Sequence, residues 1–547
     1  MKGVEMRTLY IRILLAMSVL SFVTQSTLAG KIIFVGADDS VTNVPNPLTQ
    51  PNTVLDAASG PWYVASDLSV PSDKILTIEP GTTVYFNQDV RLTVQGRLVA
   101  EGTEFERIRL MLQPGSSATE WDGIRFENTS EDNRLCYVDM EHCSGASRSV
   151  DLYRCRVLLD NVIWGQTNNT TLQIEESSAI VRNCVFPENT RMQTVVGHRL
   201  LSSDPYLVFE NNVLGFNSSP NKDDVVDFTT SGSSVVPRFI NNVFLGGGDD
   251  ALDLDGTNGY VEGNVFMNFH RDFDPSEGEA YGVSTGYDAG HSSNHVIVRN
   301  LFINCDHAAL VKDQSWINFV NNTVVNCSVG INFDEPSEAG IDPGRGAYLD
   351  GNIFWNTPTP LAQFYVDDPE WGTTDITVNH SIVGSEWHYL GQGNIDADPC
   401  FADPGYWDAN GTPEDANDDF WVGGDYHLKS QAGRWDPNTQ SWVQDNVNSP
   451  CIDAGDPNSD WTGELWPHGK RINMGAYGGT PEASMSSLTV GNIADLNNDD
   501  IANLRDFAWL ADSWQAEKAL LPEDLNRDKQ VNSKDLSIFT DNWLWEQ

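Results

Sequence analysis

The sequence predicts an all-β protein, a parallel β-helix (solenoid) of stacked coils, followed by a small C-terminal α-helical domain that binds calcium. Three observations predict this fold class. An asparagine-then-apolar unit recurs through the middle of the chain, with a shortest spacing of 22 residues. β-Branched and aromatic residues fill these repeats, with Asn and Gly between them and no helical periodicity. Near the C-terminus, two twelve-residue loops carry oxygen-bearing side chains at matching positions.

The N-terminal segment, residues 1–29, is predicted to be a secretory signal peptide. Arg7 precedes the apolar run Ile13–Val23, and small residues follow it up to Ala29. The run is too short to span a bilayer stably, and no later stretch of the chain is long and apolar enough to do so. We therefore expect a secreted, extracellular or cell-surface protein without membrane insertion.

Residues 30–385 are predicted to form the β-helix with its N-terminal cap. The second residue of the recurring unit falls at Asn161, Cys184, Asn212, Asn242, Asn264, Asn300, Asn322 and Asn352. Short strands that cannot bury an apolar face alone build one core when coils stack about 4.8 Å apart. Asparagine suits the turns because it tolerates left-handed backbone, and stacked amides can form hydrogen-bonded ladders. Longer spacings predict loops that leave the coils at turns.

These repeats resemble the right-handed β-helix, pectin-lyase-like superfamily, over roughly residues 60–385. The segment Thr77–Phe86 is interpreted as an early coil. Residues 386–485 resemble the closing segment of bacterial secreted β-helices and are predicted to form a C-terminal cap and linker. That second resemblance rests on three strings, Cys400–Pro404, Ser449–Gly455 and Asn473–Gly479.

Residues 490–547 are predicted to bind calcium because a loop with oxygen ligands at positions 1, 3, 5, 9 and 12 occurs twice. The ligands of the first loop would be Asp495, Asn497, Asp499, the Ile501 carbonyl, Asn503 and Asp506. Those of the second would be Asp524, Asn526, Asp528, the Gln530 carbonyl, Asn532 and Asp535. Calcium takes roughly 6–8 oxygen ligands, and an apolar helical stretch follows each loop.

The paired loops resemble the type I dockerin family, which also has Asp at position 12. The resemblance implies calcium as the cofactor and a cohesin-type protein as a partner. Position 6, usually Gly, is Asp500 in the first loop and Lys529 in the second, so we expect weaker binding by the second loop. The residues at positions 10 and 11 differ between the loops, which argues against a symmetric binding mode. An acidic turn that binds nothing is the alternative.

The charge balance excludes some partners. The formal net charge of −46 rules out binding to nucleic acid or to anionic membranes by simple electrostatics. An anionic polysaccharide would be repelled too, unless bound calcium or a local basic pocket reversed the field.

Eight cysteines in a chain predicted to be secreted indicate disulfide bonds. Cys305 and Cys327 occur in matching sequence contexts, and Cys400 and Cys451 form a second plausible pair. For the first pair, buried free thiols are an equal alternative. The sequence does not pair Cys136, Cys143, Cys155 and Cys184.

The candidate chemistry lies around the segment Gly246–Gly256. The candidate catalytic residues are Asp249, Asp250, Asp253, Asp255, His291 and Lys312, and the candidate substrate-binding residues are Asp313, Asp334 and Arg345. Alignment of the coils sends Leu252, Val283, Leu310 and Ile331 inward. That alignment also turns Lys312 inward, where an unpaired charge is costly, so we expect a bend or a pairing with an acid such as Asp255. Two loops, Asp272–Glu279 and Asp334–Arg345, are expected to overhang this face.

Three hypotheses follow for this face. In a polysaccharide lyase, Lys312 or His307 would remove a proton next to a uronate carboxyl, Arg345 would assist, and bound calcium would neutralise the acid. In a glycoside hydrolase, two of the aspartates would act as acid and base. The third hypothesis assigns the acids to turn hydrogen bonds or to a structural calcium site.

The order of four segments gives the hydrolase hypothesis some support. Asp227, Asp249-Asp250, His291 and Lys312 follow one another as the motifs of polygalacturonases do, although each motif is incomplete. The β-helix and the dockerin-like module together imply a protein that degrades a plant or algal polysaccharide. The alternative is a non-catalytic glycan-binding or structural β-helix that carries a dockerin.

Overall fold

The computed structural model describes residues 41–115, 119–143, 145, 148–165, 169–189, 191–199, 206–219, 223–229, 235–271, 280–335, 340–411 and 420–546. The predicted signal peptide lies outside these residues. So do the predicted overhanging loop at 272–279 and residues 336–339 of the other loop.

In the described part of the chain, strands β1–β39 form the solenoid, and all of them except β29, which makes an antiparallel hairpin with β28, stack in parallel. The first thirteen are Thr42–Asn43, Asn52–Leu55, Trp62–Val64, Leu68–Val70, Ile75–Ile78, Thr83–Phe86, Leu92–Val94, Arg97–Glu101, Ile108–Leu112, Ile124–Glu127, Asp132–Cys136, Val138–Met140 and Arg148–Tyr153. Strands β14–β26 are Arg156–Asp160, Ile163–Trp164, Thr170–Glu175, Ser178–Arg182, Val185–Phe186, Val195–His198, Leu207–Glu210, Val213–Leu214, Val226–Thr229, Arg238–Ile240, Val243–Phe244, Leu252–Asp255 and Gly259–Glu262. Strands β27–β39 are Val265–Met267, Tyr281–Asp288, His291–Ser292, Asn294–Val298, Leu301–Ile303, His307–Leu310, Trp316–Val320, Thr323–Val325, Val329–Asn332, Gly346–Asp350, Ile353–Trp355, Thr359–Ala362 and Asp375–Asn379.

These strands form three parallel sheets that run the length of the solenoid, as the sequence predicts. One sheet runs from β1 and β3 to β37, and a second from β2 and β5 to β39. The third, here called the groove sheet, runs from β4 through β22, β25, β28, β32 and β35 to β38. Each coil supplies one strand to each sheet, which is the arrangement of a right-handed-type parallel β-solenoid.

The core lies inside the coils and is continuous from end to end. Alternate strand residues point inward, so one apolar cluster extends from Val44 to Val383. Aromatic rings stack between coils, with Phe244, Phe266 and Phe302 at centroid distances of 4.8 and 4.9 Å. Stacking of like residues at like positions fixes the register between successive coils.

The recurring asparagines fill two roles at one turn of each coil. The first residue of the unit adopts left-handed backbone, with φ of 55° at Asn211 and 53° at Asn241. The second residue is buried and forms the predicted ladder, in which Nδ2 of Asn212 donates to Oδ1 of Asn242 at 2.8 Å. The ladder continues through Asn264, Asn300, Asn322 and Asn352. The first repeat is shifted by one from the predicted alignment, because Asn161 is the left-handed residue there, with φ of 57°.

Replacing Asn242 by alanine should destabilise the solenoid strongly. The Asn242 side chain accepts hydrogen bonds from Asn212 and donates to the Phe209 carbonyl and to Asn264. Each buried group left without a partner costs about 1–3 kcal/mol, so we expect a loss of roughly 2–5 kcal/mol in the free energy of unfolding. Denaturant titration measures this loss. Asn43→Ala, at an exposed site on β1, is the matched control and should change little.

The structure corrects the disulfide prediction, because all eight cysteines lie among the described residues and all are free thiols. Cys305 and Cys327 are buried in successive coils, and each Sγ donates to carbonyls, that of Cys327 to Phe302 and Val325. The alternative of buried free thiols therefore describes this pair. Stacked positions favour apolar burial and carbonyl contacts, so a repeated cysteine does not require a covalent bond.

The segment after β39 covers one side of the solenoid and is here called the cap. Its described residues form a 3₁₀ helix at Ser385–Leu390 and three two-stranded antiparallel sheets. Their strands, β40–β45, are Phe401–Asp403, Tyr406–Asp408, Phe420–Val422, Asp425–Leu428, Arg434–Asp436 and Ser441–Val443. A second apolar cluster, which includes Leu301 and Tyr426, joins the cap to the β1–β37 sheet.

The cap contains a buried carboxyl, Glu464, that should make stability depend on pH. Burial raises the pKa of Glu464 to about 8, although Oε1 accepts hydrogen bonds from the backbone N–H groups of Asn473 and Gly479 at 2.8 and 2.9 Å. The pKa of Glu464 is higher in the folded than in the unfolded state, so the protonated carboxyl favours folding. This contribution to stability is complete below the ordinary pKa and is lost as pH rises through about 8.

Glu464→Gln should therefore flatten the decline in stability between about pH 4.5 and about pH 8, by roughly 2–5 kcal/mol. Calorimetric melting across this pH range tests the expectation, with Glu370→Gln as an exposed control. An unchanged pH profile in the Glu464 variant would contradict it.

The last described segment, residues 490–546, is here called the C-terminal module. It contains two helices, α1 at Leu504–Asp512 and α2 at Ser533–Asp541, and its own apolar core around Leu510 and Phe539. Among the described residues, no helix has the length and apolar character needed to cross a membrane.

Candidate functional site

The groove sheet carries a column of outward-pointing residues across five coils. The register pairs Asp227 with Asp253, Asp253 with Ser284, Ser284 with Leu310, and Leu310 with Asn332. Because side chains alternate along a strand, the neighbouring residues on these strands fill the core. Polar side chains thus line the outside of β22, β25, β28 and β35.

The predicted alignment of these coils was wrong by one residue at Leu310. Ala309 pairs with Val283 and Ile331 and points into the core, whereas Leu310 lies on the outer face, although it is buried there. Lys312, two residues further along, therefore also points outward. The alignment by sequence placed the larger apolar side chain in the core, but the interior of this coil takes the smaller one.

Three carboxylates converge where β22 and β25 begin. Ligand oxygens of Asp224, Asp249 and Asp250 all lie within 4.8 Å of one another. The Asp250 N–H donates to Oδ1 of Asp224 at 3.2 Å, and the Tyr281 N–H donates to Oδ1 of Asp250 at 3.0 Å. The backbone of successive coils therefore fixes the spacing of these carboxylates. Arg271 forms an ion pair with Asp249.

The cluster concentrates negative charge away from solvent. Burial, followed by repulsion from neighbouring aspartates, holds the pKa of Asp224, Asp250 and Asp253 well above the ordinary range. The pKa values of Asp227 and Asp255 are raised as well, with burial as the main cause. Deprotonation of all these groups together requires positive charge at the site.

Lys312 is the cation that faces this cluster. Its side chain is 13% exposed, and its Nζ lies 3.8 Å from a carboxylate oxygen of Glu335. Burial lowers the pKa of Lys312, but Asp253, Asp255 and Asp250 outweigh burial and raise the pKa above its ordinary value. The surrounding carboxylates therefore stabilise the ammonium form of Lys312.

Gly286 makes room for Lys312 on the groove sheet. A Cβ atom at Gly286 would lie 1.7 Å from Oδ1 of Asp255 and 3.2 Å from Cε of Lys312. The missing side chain lets the lysine extend over β28 towards the acids of β25.

Four buried polar atoms on this face have no hydrogen-bond partner among the described residues. They are Oδ1 of Asp253, Oδ1 of Asp255, Oγ of Ser284 and Oδ1 of Asn332. Buried polar atoms nearly always have a partner, so a row of them indicates where ligand atoms bind.

The structure brings together five of the six predicted catalytic residues. These are Asp249, Asp250, Asp253, Asp255 and Lys312. The sixth, His291, is exposed on β29, opposite Asp288 in a hairpin with β28, and is not part of the carboxylate cluster.

Two of the predicted substrate-binding residues lie beside the cluster. Asp313 contributes to the raised pKa of Asp255, but its Oδ1 accepts a hydrogen bond from the Asp342 N–H at 3.0 Å. Asp334 is buried and accepts a hydrogen bond from the Tyr365 hydroxyl. Both carboxylates therefore already have partners within the chain.

The third predicted substrate-binding residue, Arg345, lies away from the carboxylate cluster. Its guanidinium stacks over Trp316 at 5.4 Å and donates to Oδ1 of Asn294 at 3.1 Å. These partners belong to β33 and β30, in the β2–β39 sheet. The structure gives no support to the predicted assisting role, because the turn before β36 directs this arginine to a different sheet.

Sequence reasoning missed four residues of the site: Asp224, Arg271, Glu335 and Tyr365. A signal for Asp224 was present, since an acid directly precedes a buried apolar pair in two successive coils, Asp224-Val-Val226 and Asp250-Ala-Leu252. The other three residues lie near insertions of variable length, where a repeat alignment gives no register.

The two predicted calcium loops of the C-terminal module share one hydrogen-bond pattern. In the first, ligand oxygens of Asp495, Asp499 and Asp506 lie within 4.8 Å of one another. Oδ1 of Asp506 accepts a hydrogen bond from the Asn497 N–H at 3.1 Å, and Oδ2 accepts one from the Asn503 N–H at 2.8 Å. The oxygen at position 12 thus closes the loop and caps α1.

The second loop repeats these contacts. Oδ1 of Asp535 accepts from the Asn526 N–H at 3.1 Å, and Oδ2 accepts from the Asn532 N–H at 2.8 Å. At position 6 the backbone is left-handed in both loops, with φ of 70° at Asp500 and 68° at Lys529. The donor chemistry of both loops, and the spacing of the three carboxylates in the first, fit a hard divalent cation such as calcium.

Comparisons with known proteins add the following. A family model described as "Disaggregatase related" matches residues 384–455, which belong to the cap and are too small a part of the chain to assign it to a family. A search of the curated proteins finds no match. A crystal structure of the pectate lyase Pel9A is similar with a TM-score of 0.31 and 15% identity, over 74% of this chain and 88% of that one. The catalytic domain of a GH87 alpha-1,3-glucanase in complex with tetrasaccharides gives a TM-score of 0.31 and 13% identity, over 56% of this chain and 64% of that one.

Proposed function

We propose that this protein is a secreted, calcium-dependent polysaccharide lyase that cleaves a uronate-containing polysaccharide by β-elimination. One observation carries the proposal: Lys312 points out of the groove sheet into a cluster of buried carboxylates that has the spacing of a cation site. The cluster would hold a divalent cation, and the lysine would act as the base beside it.

Asp224, Asp249 and Asp250 would hold the calcium ion, since their oxygens fit it in charge, hardness and spacing, and the neighbouring Asp253 would add a fourth carboxylate. When bound, calcium would neutralise the uronate carboxylate and so acidify the neighbouring C–H bond. Partial neutralisation of the aspartates would also remove the main cause that raises the pKa of Lys312. Lys312 then becomes a competent base near neutral pH.

In the reaction, Lys312 Nζ would take the proton at C5 of the uronate. The C4–O bond would then break as the C4–C5 double bond forms, and the leaving oxygen would take a proton from solvent water, to which Lys312 returns the proton it removed. Glu335, 3.8 Å from Nζ, would position the lysine. The unpartnered oxygens of Ser284 and Asn332 would bind hydroxyl groups of the sugar.

Elimination explains the site better than hydrolysis does. Oxygens of Asp224, Asp249 and Asp250 lie within 4.8 Å of one another, closer than the ~6.5–9.5 Å of an inverting hydrolase, so on spacing only a retaining hydrolase, with its ~5–5.5 Å, competes. A hydrolytic pair also gives no role to a buried lysine that the chain accommodates by means of Gly286. The carboxylate spacing and Lys312 together therefore favour a bound cation beside a general base on this face.

The C-terminal module would serve as a calcium-dependent docking element for a cohesin-type protein or for the cell surface. The supporting observation is the repetition of the same carboxylate geometry in both loops. With the predicted signal peptide, this module would place the enzyme outside the cell, where its polysaccharide substrate is found.

A panel of pectin, alginate, ulvan and chondroitin, each with calcium, tests the proposed reaction. We expect at least one of these polymers to give products that absorb in the ultraviolet through the new double bond. New reducing ends without that absorbance would establish a hydrolase instead. Retained glycan binding with neither signal would establish a non-catalytic protein.

A further inference from the structure

The C-terminal module touches the cap without sharing its core. Its apolar cluster contains residues from Ala494 to Phe539 only, and the cluster that joins cap and solenoid contains none of them. A crevice of about 190 Å³ lies between module and cap, lined by Trp466, Trp509 and Leu525 among others. Module and cap therefore have separate apolar cores, and polar side chains that reach across the crevice can fix one on the other.

Arg527 is the first anchor. Its guanidinium lies 4.8 Å from the ring centroid of Trp442 in the cap and donates a hydrogen bond to the carbonyl oxygen of Trp466. Arg527 therefore makes both a cation–π contact and a hydrogen bond with the cap, and each attracts its guanidinium to the cap.

The second anchor is an ion pair between Lys470 of the cap and Asp500 of the module. A backbone bridge between His468 and Val490 leads into this contact. The two anchors thus hold the module at two separate points of the cap.

Both anchors belong to the calcium loops. Arg527 is position 4 of the second loop, between the predicted ligands Asn526 and Asp528, and Asp500 is position 6 of the first. Asp524 fixes the backbone that follows Arg527, because its carboxylate accepts the N–H groups of Asp528 and Lys529 at 3.1 and 2.7 Å. The shape of each loop therefore sets the position of its anchor.

We infer that the C-terminal module docks onto its own cap through Arg527 and Asp500, and that calcium in the two loops maintains this docking. The partner that fits the cap surface of Trp442, Trp466 and Lys470 is thus a segment of the same chain. Loss of the cation leaves the loop carboxylates to repel one another, which displaces both anchors. This inference rests on the proposed calcium binding by the loops.

The test uses the full chain and compares Arg527→Ala with Arg505→Ala. Arg505 is 78% exposed and pairs with Asp499 of its own loop, so it is a matched control whose described ion pair lies within the module, and calorimetry checks that its calcium binding is kept. Hydrogen exchange of the amides in Ser441–Val443 and around Trp466 reports docking, and calorimetry reports the number of calcium ions bound. We expect exchange about tenfold faster or more in Arg527→Ala with calcium present, and no change in Arg505→Ala.

Chelation of the unmodified chain should accelerate exchange at the same cap amides. Protection that stays the same in Arg527→Ala would overturn the docking. If calorimetry shows calcium in the loops but chelation leaves the cap amides protected, calcium does not maintain the docking. Absence of any calcium binding by the loops would instead refute their proposed function, a result that calorimetry separates from the other two.

Discussion

Lys312→Met should lower the rate of polysaccharide cleavage about 10²–10⁴-fold, the usual contribution of a general base. Methionine keeps the length of the side chain and much of its apolar contact but cannot accept a proton. The carboxylates remain in place, so calcium binding at the groove should persist or become tighter once the competing ammonium is gone. Initial rates measured by the absorbance of unsaturated products, together with calcium titration, give both quantities.

Lys74→Met provides the matched control for this substitution. Lys74 is a largely buried lysine at 19% exposure, paired with Asp73 in an early coil, and its loss should leave the cleavage rate unchanged. A Lys312→Met protein that binds calcium and cleaves at the original rate would remove this lysine from the mechanism.

Asp250→Asn should weaken calcium binding at the groove and reduce activity at limiting calcium. The amide keeps an oxygen for the Tyr281 N–H, so the local backbone contact survives while one negative charge is lost. Interactions with charged groups contribute about 1.5–3 kcal/mol, which corresponds to about 10- to 150-fold in Kd. Saturating calcium should restore part of the activity, because the base at Lys312 is untouched.

Two controls isolate the groove site from the calcium loops. Asp132→Asn changes an exposed acid of an early coil and should leave the groove affinity unchanged. Substitution of Asp506 and Asp535 should abolish binding in the C-terminal module without affecting cleavage of a soluble substrate. Equal calcium affinity in Asp250→Asn and the unmodified protein would show that this carboxylate is not a ligand.

The solenoid could be predicted because its physical signal is local and repeated. Each coil must turn at the same place, so the asparagines that tolerate left-handed backbone and stack their amides recur in the sequence. The helices that follow the two loops were also predictable, although they begin at Leu504 and Ser533, ahead of the predicted apolar stretches. The reason is that Asn503 and Asn532 cap them from within the loops.

The candidate site was only partly predictable from sequence. The aspartates of Gly246–Gly256 occur together in the chain, so their convergence required no long-range information. The side of the sheet that Lys312 occupies depended on a single-residue choice between Ala309 and Leu310, and a shift of one residue reverses every side chain on a strand. Whether the cysteines form disulfide bonds, and where Arg345 lies, likewise depended on contacts between coils.

The sequence by itself determined that coils stack, where they turn, and which segments concentrate acidic oxygens, because these properties follow from local backbone preference and from repetition. Only the tertiary structure decided that Asp224 joins Asp249 and Asp250, that Gly286 lets Lys312 reach their neighbours, and that Arg527 meets Trp442. Such contacts join residues from different coils or domains. Their geometry is set by the register between coils and by insertions of irregular length, and neither is encoded in the spacing of the repeat.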